Sequence, residues 1–140
     1  MIKLVPQGFT KYYGYDGTHV KKELGGQPTG PSHWALMTRD VVEGSRDKSY
    51  ADQKILVAQQ AQTLGIPYTL APILTGVVST VCHHTETGTY LFPNVYSRAS
   101  ESVQNGQLCV RFGYFDTDGL NVNYYFLDAR GNYGVAAFLQ

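Results

Sequence analysis

Cysteine is scarce: Cys82 and Cys109 are the only 2 in the chain, too few for a disulfide framework. They are read either as one bridge or, more simply, as two buried thiols in a reducing compartment. Charge is sparse and balanced, with 11 Lys+Arg against 11 Asp+Glu. That excludes the strongly basic surface of a general nucleic-acid binder. No run approaches the ~18–20 apolar residues that a membrane-spanning helix needs. The opening Met1-Ile2-Lys3-Leu4-Val5-Pro6 has no long apolar region of the kind a secretory leader carries. Cys-x-x-Cys, Walker A and Gly-x-Gly-x-x-Gly patterns are missing, and nothing in the residues calls for a cofactor or a metal. The expectation is a soluble protein, cytoplasmic or exported without a leader, that engages neither nucleic acid nor membrane.

What is present is aromatic and rich in glycine. The 140 residues include 11 Tyr, 6 Phe, 1 Trp and 15 Gly, and 43% are apolar. A chain of this length can bury roughly two-thirds of its unfolded surface, so one globular domain is expected, with residues 1–20 as its loosest part. Tyrosine and glycine favour strands and tight turns over long helices. Residues 2–5 read as a short strand stopped by Pro6. Residues 8–17 read as a strand fragment or a packed aromatic loop, and residues 20–24 as one helical turn. The breaker cluster at 25–31 reads as a loop.

Residues 33–42 predict a central strand. Trp34, Leu36 and Val42 fall on one side, and Ala35, Met37 and Val41 on the other. With apolar groups on both sides, the strand should be covered on both faces. Ser49, followed by Asp52, is a good helix cap. The helix should run from Tyr50 to Leu64 and stop at Gly65, with Pro67 beyond. Tyr50, Ala51, Ile55, Val57, Ala58, Ala61 and Leu64 define its apolar half. Residues 71–87 suit a buried helix or a strand, and their length favours the helix.

From Thr89 onward the signals are β. Residues 90–92 and 95–102 are short candidates, and residues 107–116 alternate well. Asp116-Thr117-Asp118-Gly119 turns the chain into a return strand with Leu120, Val122, Tyr124 and Phe126 on one face. Residues 133–139 should close a three-strand meander. The fold class is α+β: an antiparallel sheet with a C-terminal three-strand meander and one or two helices packed on one face.

Several residues are candidates for chemistry. Cys82-His83-His84 has metal-ligand residue types, but adjacent helical residues point ~100° apart. The alternative is two histidines settled in the last turn of a helix. Cys82 or Cys109 with His33 or His19 supplies the residue types of a nucleophile and its base, although nothing local brings them together. His33 and Trp34 sit at a strand head beside a Gly/Pro loop, where ligands bind, or Trp34 is a core ring. Arg39-Asp40 and Arg46-Asp47 either tie down the loop at 43–48 or, with Arg98, cradle an anion. Tyr114, Tyr124, Tyr125 and Tyr133 form either a binding face or a helix cover. Candidate binding residues are therefore His33, Trp34, Arg39, Arg46, Tyr96 and Arg98; no catalytic or metal-ligating residue is assigned.

The segment Gly30-Pro31-Ser32-His33-Trp34-Ala35-Leu36-Met37-Thr38-Arg39-Asp40-Val41-Val42, with Gly44-Ser45-Arg46, Lys48-Ser49-Tyr50 and Asp52-Gln53, is distinctive. So are Gly65-Ile66-Pro67-Tyr68, Thr87-Gly88, Leu91, Tyr96-Ser97-Arg98 and Tyr133-Gly134-Val135-Ala136. From about residue 20 onward the chain resembles a domain of unknown function found in large proteins of chlamydia-like bacteria, beside F-box-like or leucine-rich-repeat segments. The resemblance implies an aliphatic-rich helix at residues 73–84. It also implies a Cys after Arg98, where this chain has Ala99, so that position carries no chemistry here. Cys82, His83 and His84 lie outside the shared pattern. The context implied is that of bacterial effector-like or interaction proteins. The leading expectation is a non-enzymatic protein-interaction or structural module, with a protein partner or a second copy as its ligand. The alternatives are a small Cys-His hydrolase or transferase, and a binder of a small anion at an arginine-lined cleft.

Overall fold

Ser49 opens the long helix as its sequence signals require. In a computed structural model describing residues 18–26, 28 and 30–139, its hydroxyl accepts from the Asp52 amide at 3.1 Å and donates to the Asp52 carboxylate at 2.7 Å. The cap satisfies an otherwise free N–H of the first turn. Helix α2 (Tyr50–Leu64) ends where Gly65 turns left-handed at φ 65°. The expected strand at residues 2–5 and the aromatic stretch at 8–17 lie outside the described residues. Before α2, α1 (Thr18–Glu23) forms the short helical turn expected there. Of residues 71–87 all but the first two are helical: α3 (Ile73–Thr87) follows an extended Pro72 and stops at a left-handed Gly88. Its first amide, on Ile73, donates to the Glu101 carboxylate at 2.9 and 3.1 Å, so a side chain from a distant strand supplies the cap that Pro72 cannot.

Two sheets carry the remaining elements. The larger has β3 (Tyr96–Val103), β4 (Leu108–Asp116), β5 (Gly119–Phe126) and β6 (Tyr133–Gly134) in the order β5-β4-β3-β6. β3, β4 and β5 form an antiparallel meander, and β6 lies parallel to β3. The smaller sheet has β1 (Leu36–Met37) and β2 (Thr69–Leu70) antiparallel to β7 (Ala137–Leu139), which lies between them. The α+β class therefore holds, and so does a three-strand meander, but its strands are β3 to β5. Residues 133–139 do not form one closing strand. They divide between the sheets because hydroxyl side chains take over from strand pairing at the division. The Val135 amide donates to Ser45 Oγ at 3.3 Å, and the Ala136 amide to Ser97 Oγ at 2.8 Å.

Two further expectations change. Residues 33–42 do not form a central strand: only Leu36 and Met37 pair, at a sheet edge. The two-sided pattern is real, but at the head of the segment one side alone is covered, and of the other side only Val42 is buried. Ala35, Met37 and Val41 pack on the core, while Trp34 and Leu36 are 95% and 68% exposed. Residues 90–92 form no strand: Tyr90 is irregular and Leu91 and Phe92 are bends.

Side chains alternate on β4 and so divide the interior. Leu108, Val110 and Phe112 join Ile73 and Val77 of α3, with Ala99 and Val103 of β3. Cys109 instead meets Tyr50 and Val57 of α2, with Leu70 and Val135. The helices thus serve different faces rather than sharing one. Gly76 permits the α3 contact, since a Cβ there would strike the Phe112 ring. The buried face of α2 also departs from its apolar half. Tyr50, Gln53 and Val57 are buried, whereas Ile55 and Leu64 are exposed. Gln53 is drawn inward by hydrogen bonds that hydrophobicity does not register. Among the described residues, no helix is long and apolar enough to cross a membrane.

Candidate functional site

The turn that follows β1 and the turn that leads into α2 meet over one cleft. Arg39, Asp40 and Arg46 line it together with residues 90–95, around a volume of about 260 Å³. Thr38 anchors the first turn, its amide donating to the Ala137 carbonyl at 3.0 Å and its Oγ1 accepting from the Ala137 amide at 3.1 Å. Ser45, fully buried, anchors the second through its bonds to Val135 and Gln53. Both arginines are exposed. Asp40 directs Oδ1 to the Val41 amide at 2.7 Å. The other wall includes Phe92, which is buried in the left-handed region at φ 55°. Its carbonyl accepts from the Phe115 amide at 3.4 Å, and its ring meets Phe112 edge-on at 5.6 Å.

Arg98 does not join Arg39 and Arg46. It is fully buried on β3, where its Nη1 donates to Lys48 O and Gln53 Oε1 at 3.2 and 3.1 Å, and its Nη2 to Phe126 O and Asp128 O at 3.1 and 2.5 Å. Arg98 and Gln53, rather than Arg39 or Arg46, supply donors to the carbonyls of the loop at 43–48, at Lys48 and Ser45. Arg111 lies directly opposite Arg98 in the β3–β4 register. Like charges facing each other across strands repel. Here π faces and neutral acceptors replace a carboxylate: the Arg111 guanidinium sits 3.9 Å from the Tyr96 ring centre, 4.3 Å from Tyr133 and 4.7 Å from Tyr125. Its Nε donates to Asn123 Oδ1 at 2.5 Å. Tyr96 thus belongs to a tyrosine cage around Arg111.

His33 is exposed, with Nδ1 3.0 Å from the Pro31 carbonyl oxygen, and Trp34 beside it stands almost free of the protein. The cysteines are unbridged, and Cys82 is exposed rather than buried. Cys109 directs its sulfur toward the carbonyls of Tyr125 and Phe126 at 3.5 and 3.7 Å. Burial pushes its thiol up, against the pull of Arg98 and Arg111. A raised thiol is a weak nucleophile near neutral pH. Tyr50, whose hydroxyl donates to the Ala99 carbonyl at 2.7 Å, is pushed up to about 12, mainly by burial, with Cys109 and Glu101 adding to the effect and Arg98 opposing it. His84 stacks on Tyr90 at 4.2 Å and meets Phe115 edge-on at 5.1 Å. Among the described residues, no group of three or more His, Cys, Asp and Glu is placed to hold a metal ion.

The structure therefore sets Arg39 and Arg46 on one cleft, buries Arg98 in the sheet, leaves Tyr96 half-buried against Arg111, and keeps His33 and Trp34 on the surface. Sequence reasoning missed Arg111, Asn123 and Gln53. Arg111 and Asn123 had a readable signal, since each sits on the opposite face from the apolar alternation of its own strand. Gln53 had none. No protein-family model, curated protein or solved structure matches this chain.

Proposed function

We propose that this protein is a non-catalytic recognition module that takes an extended segment of another protein along the outer edge of β1. The observation that carries this reading is the 95% exposure of Trp34, two residues before β1, with Leu36 of β1 itself at 68%. Tryptophan is seldom left so bare, and in interfaces it anchors binding. The opposite side of the strand, Ala35 and Met37, is packed on the core, which holds the exposed pair in place. β1 is also a sheet edge, where an incoming strand finds unpaired main-chain groups. The resemblance to modules beside F-box-like and leucine-rich-repeat segments supports the same reading. The buried, raised Cys109 is unsuited to serve as the nucleophile of a thiol hydrolase or transferase.

The test is a photo-crosslinking amino acid placed at His33 and, as a control, at Arg130. The reading expects one polypeptide captured at position 33 and not at 130. In purified form that polypeptide should bind the wild-type chain and lose about tenfold or more in affinity toward Trp34→Ala. Capture of the chain by itself would assign the edge to self-association instead. Equal capture at both positions, or unchanged binding by Trp34→Ala, would remove the proposal.

A further inference from the structure

We infer that the cleft between Arg39, Arg46 and residues 90–95 binds a small phosphate monoester, with the phosphate on the two guanidinium groups and the organic body on the opposite wall. Arg39 and Arg46 come from separate turns, yet both line the one volume of about 260 Å³. Among the described residues, the ion pair formed is Arg130–Asp128, and neither cleft arginine is held by a carboxylate. Asp40, the acidic residue of the lining, spends Oδ1 on the Val41 amide. The cleft thus carries one positive charge in excess on a chain whose formal net charge is +0. A phosphate monoester carries ≈ −1.5 to −2 at neutral pH, and its oxygens match the fork of a guanidinium.

The opposite wall suits the rest of such a ligand. Leu91 and Val95 are buried behind this wall, while exposed Pro93 and half-buried Tyr90 line it with ring surface and exposed Asn94 adds an amide. The wall is built rather than collapsed, because Phe92 is held left-handed while its ring and carbonyl are tied into the core. Backbone held in such a region tends to gather at ligand sites. The volume lies just below the ≈ 300–1,000 Å³ of small-molecule pockets, which favours a compact ligand over a dinucleotide or a polymer. This inference does not depend on the β1 edge.

The purified chain titrated calorimetrically with phenyl phosphate, inorganic phosphate and benzoate at low salt tests it. Phenyl phosphate should bind tightest, inorganic phosphate more weakly and benzoate weakest. Arg39→Gln and Arg46→Gln should each weaken phenyl phosphate about tenfold or more, the loss expected when a hydrogen bond to a charged group disappears. Both side chains are exposed, so the melting temperature should stay put. Arg130→Gln and Trp34→Ala should bind as the wild type does, which separates this site from the β1 edge. No heat from phenyl phosphate, binding that survives in the double variant, or an equal loss in Arg130→Gln would overturn the inference. So would benzoate binding as tightly as phenyl phosphate.

Discussion

Arg98 shows how a buried charge is held without an opposite charge. Its four acceptors are neutral, and they join the loop before α2 to the far end of β5. Arg98→Met would leave three main-chain carbonyls and the Gln53 amide oxygen short of a donor. The expected loss is about 3 kcal/mol in urea denaturation, and Arg98→Lys should recover little because an ammonium cannot span the same fork. Tyr50 makes a prediction about pH. Its hydroxyl ionises near 10.0 when exposed and near 12 in the fold, so between those values the unfolded chain has released a proton that the native one keeps. Stability should be flat with respect to this group below pH 10, then fall as pH rises toward 12. Tyr50→Phe should remove that fall, while the raised Cys109 thiol adds a separate loss of stability in alkali. The two cysteines should separate in iodoacetamide labelling. Cys82, exposed, reacts in the native protein, whereas Cys109 reacts only after unfolding.

At the level of elements, α2 was legible because its ends carry their own chemistry, whereas for α3 length alone favoured a helix over a strand. Ser49, Asp52 and Gly65 mark α2 to the residue, and Ser49→Ala should lower stability by about 1 kcal/mol, measured by thermal melting. The direction in which α2 faces was not legible. Its position is set by hydrogen bonds from Gln53 to Ser45 and Tyr133, and those partners adjoin it only after the chain has folded. Gly76 in α3 sets two local effects against each other. Alanine favours a helix over glycine by about 1 kcal/mol, while forcing a methyl group into a filled core costs about 1–3 kcal/mol. Since the added Cβ would meet the Phe112 ring, Gly76→Ala is expected to destabilise on balance, with a lowered denaturation midpoint. The short strands were the least legible elements. β1 and β2 have two residues each, and periodicity cannot register over so short a run.

For the molecule as a whole, the α+β class and the run of strands after α3 followed from composition and alternation. The division into two sheets did not, because it turns on two hydroxyls, Ser45 and Ser97, meeting the amides of Val135 and Ala136. The arginine cleft was half legible. Arg39 and Arg46 lie close in sequence and converge, while Arg98 has the same residue type but a buried strand position that turns it inward. The dependence of one sheet on its middle strand gives a prediction at this scale. A chain ending at Ala136 lacks the partner of both β1 and β2, and it should lose the sharp cooperative melt of the full chain. The same arrangement governs how the protein is made. On the ribosome β1 and β2 emerge well before β7, so two short strand segments wait unpaired in the nascent polypeptide, the condition in which partly made chains aggregate. Translation speed and chaperone supply should therefore affect the yield of this protein more than that of one whose neighbouring strands are also neighbours in synthesis.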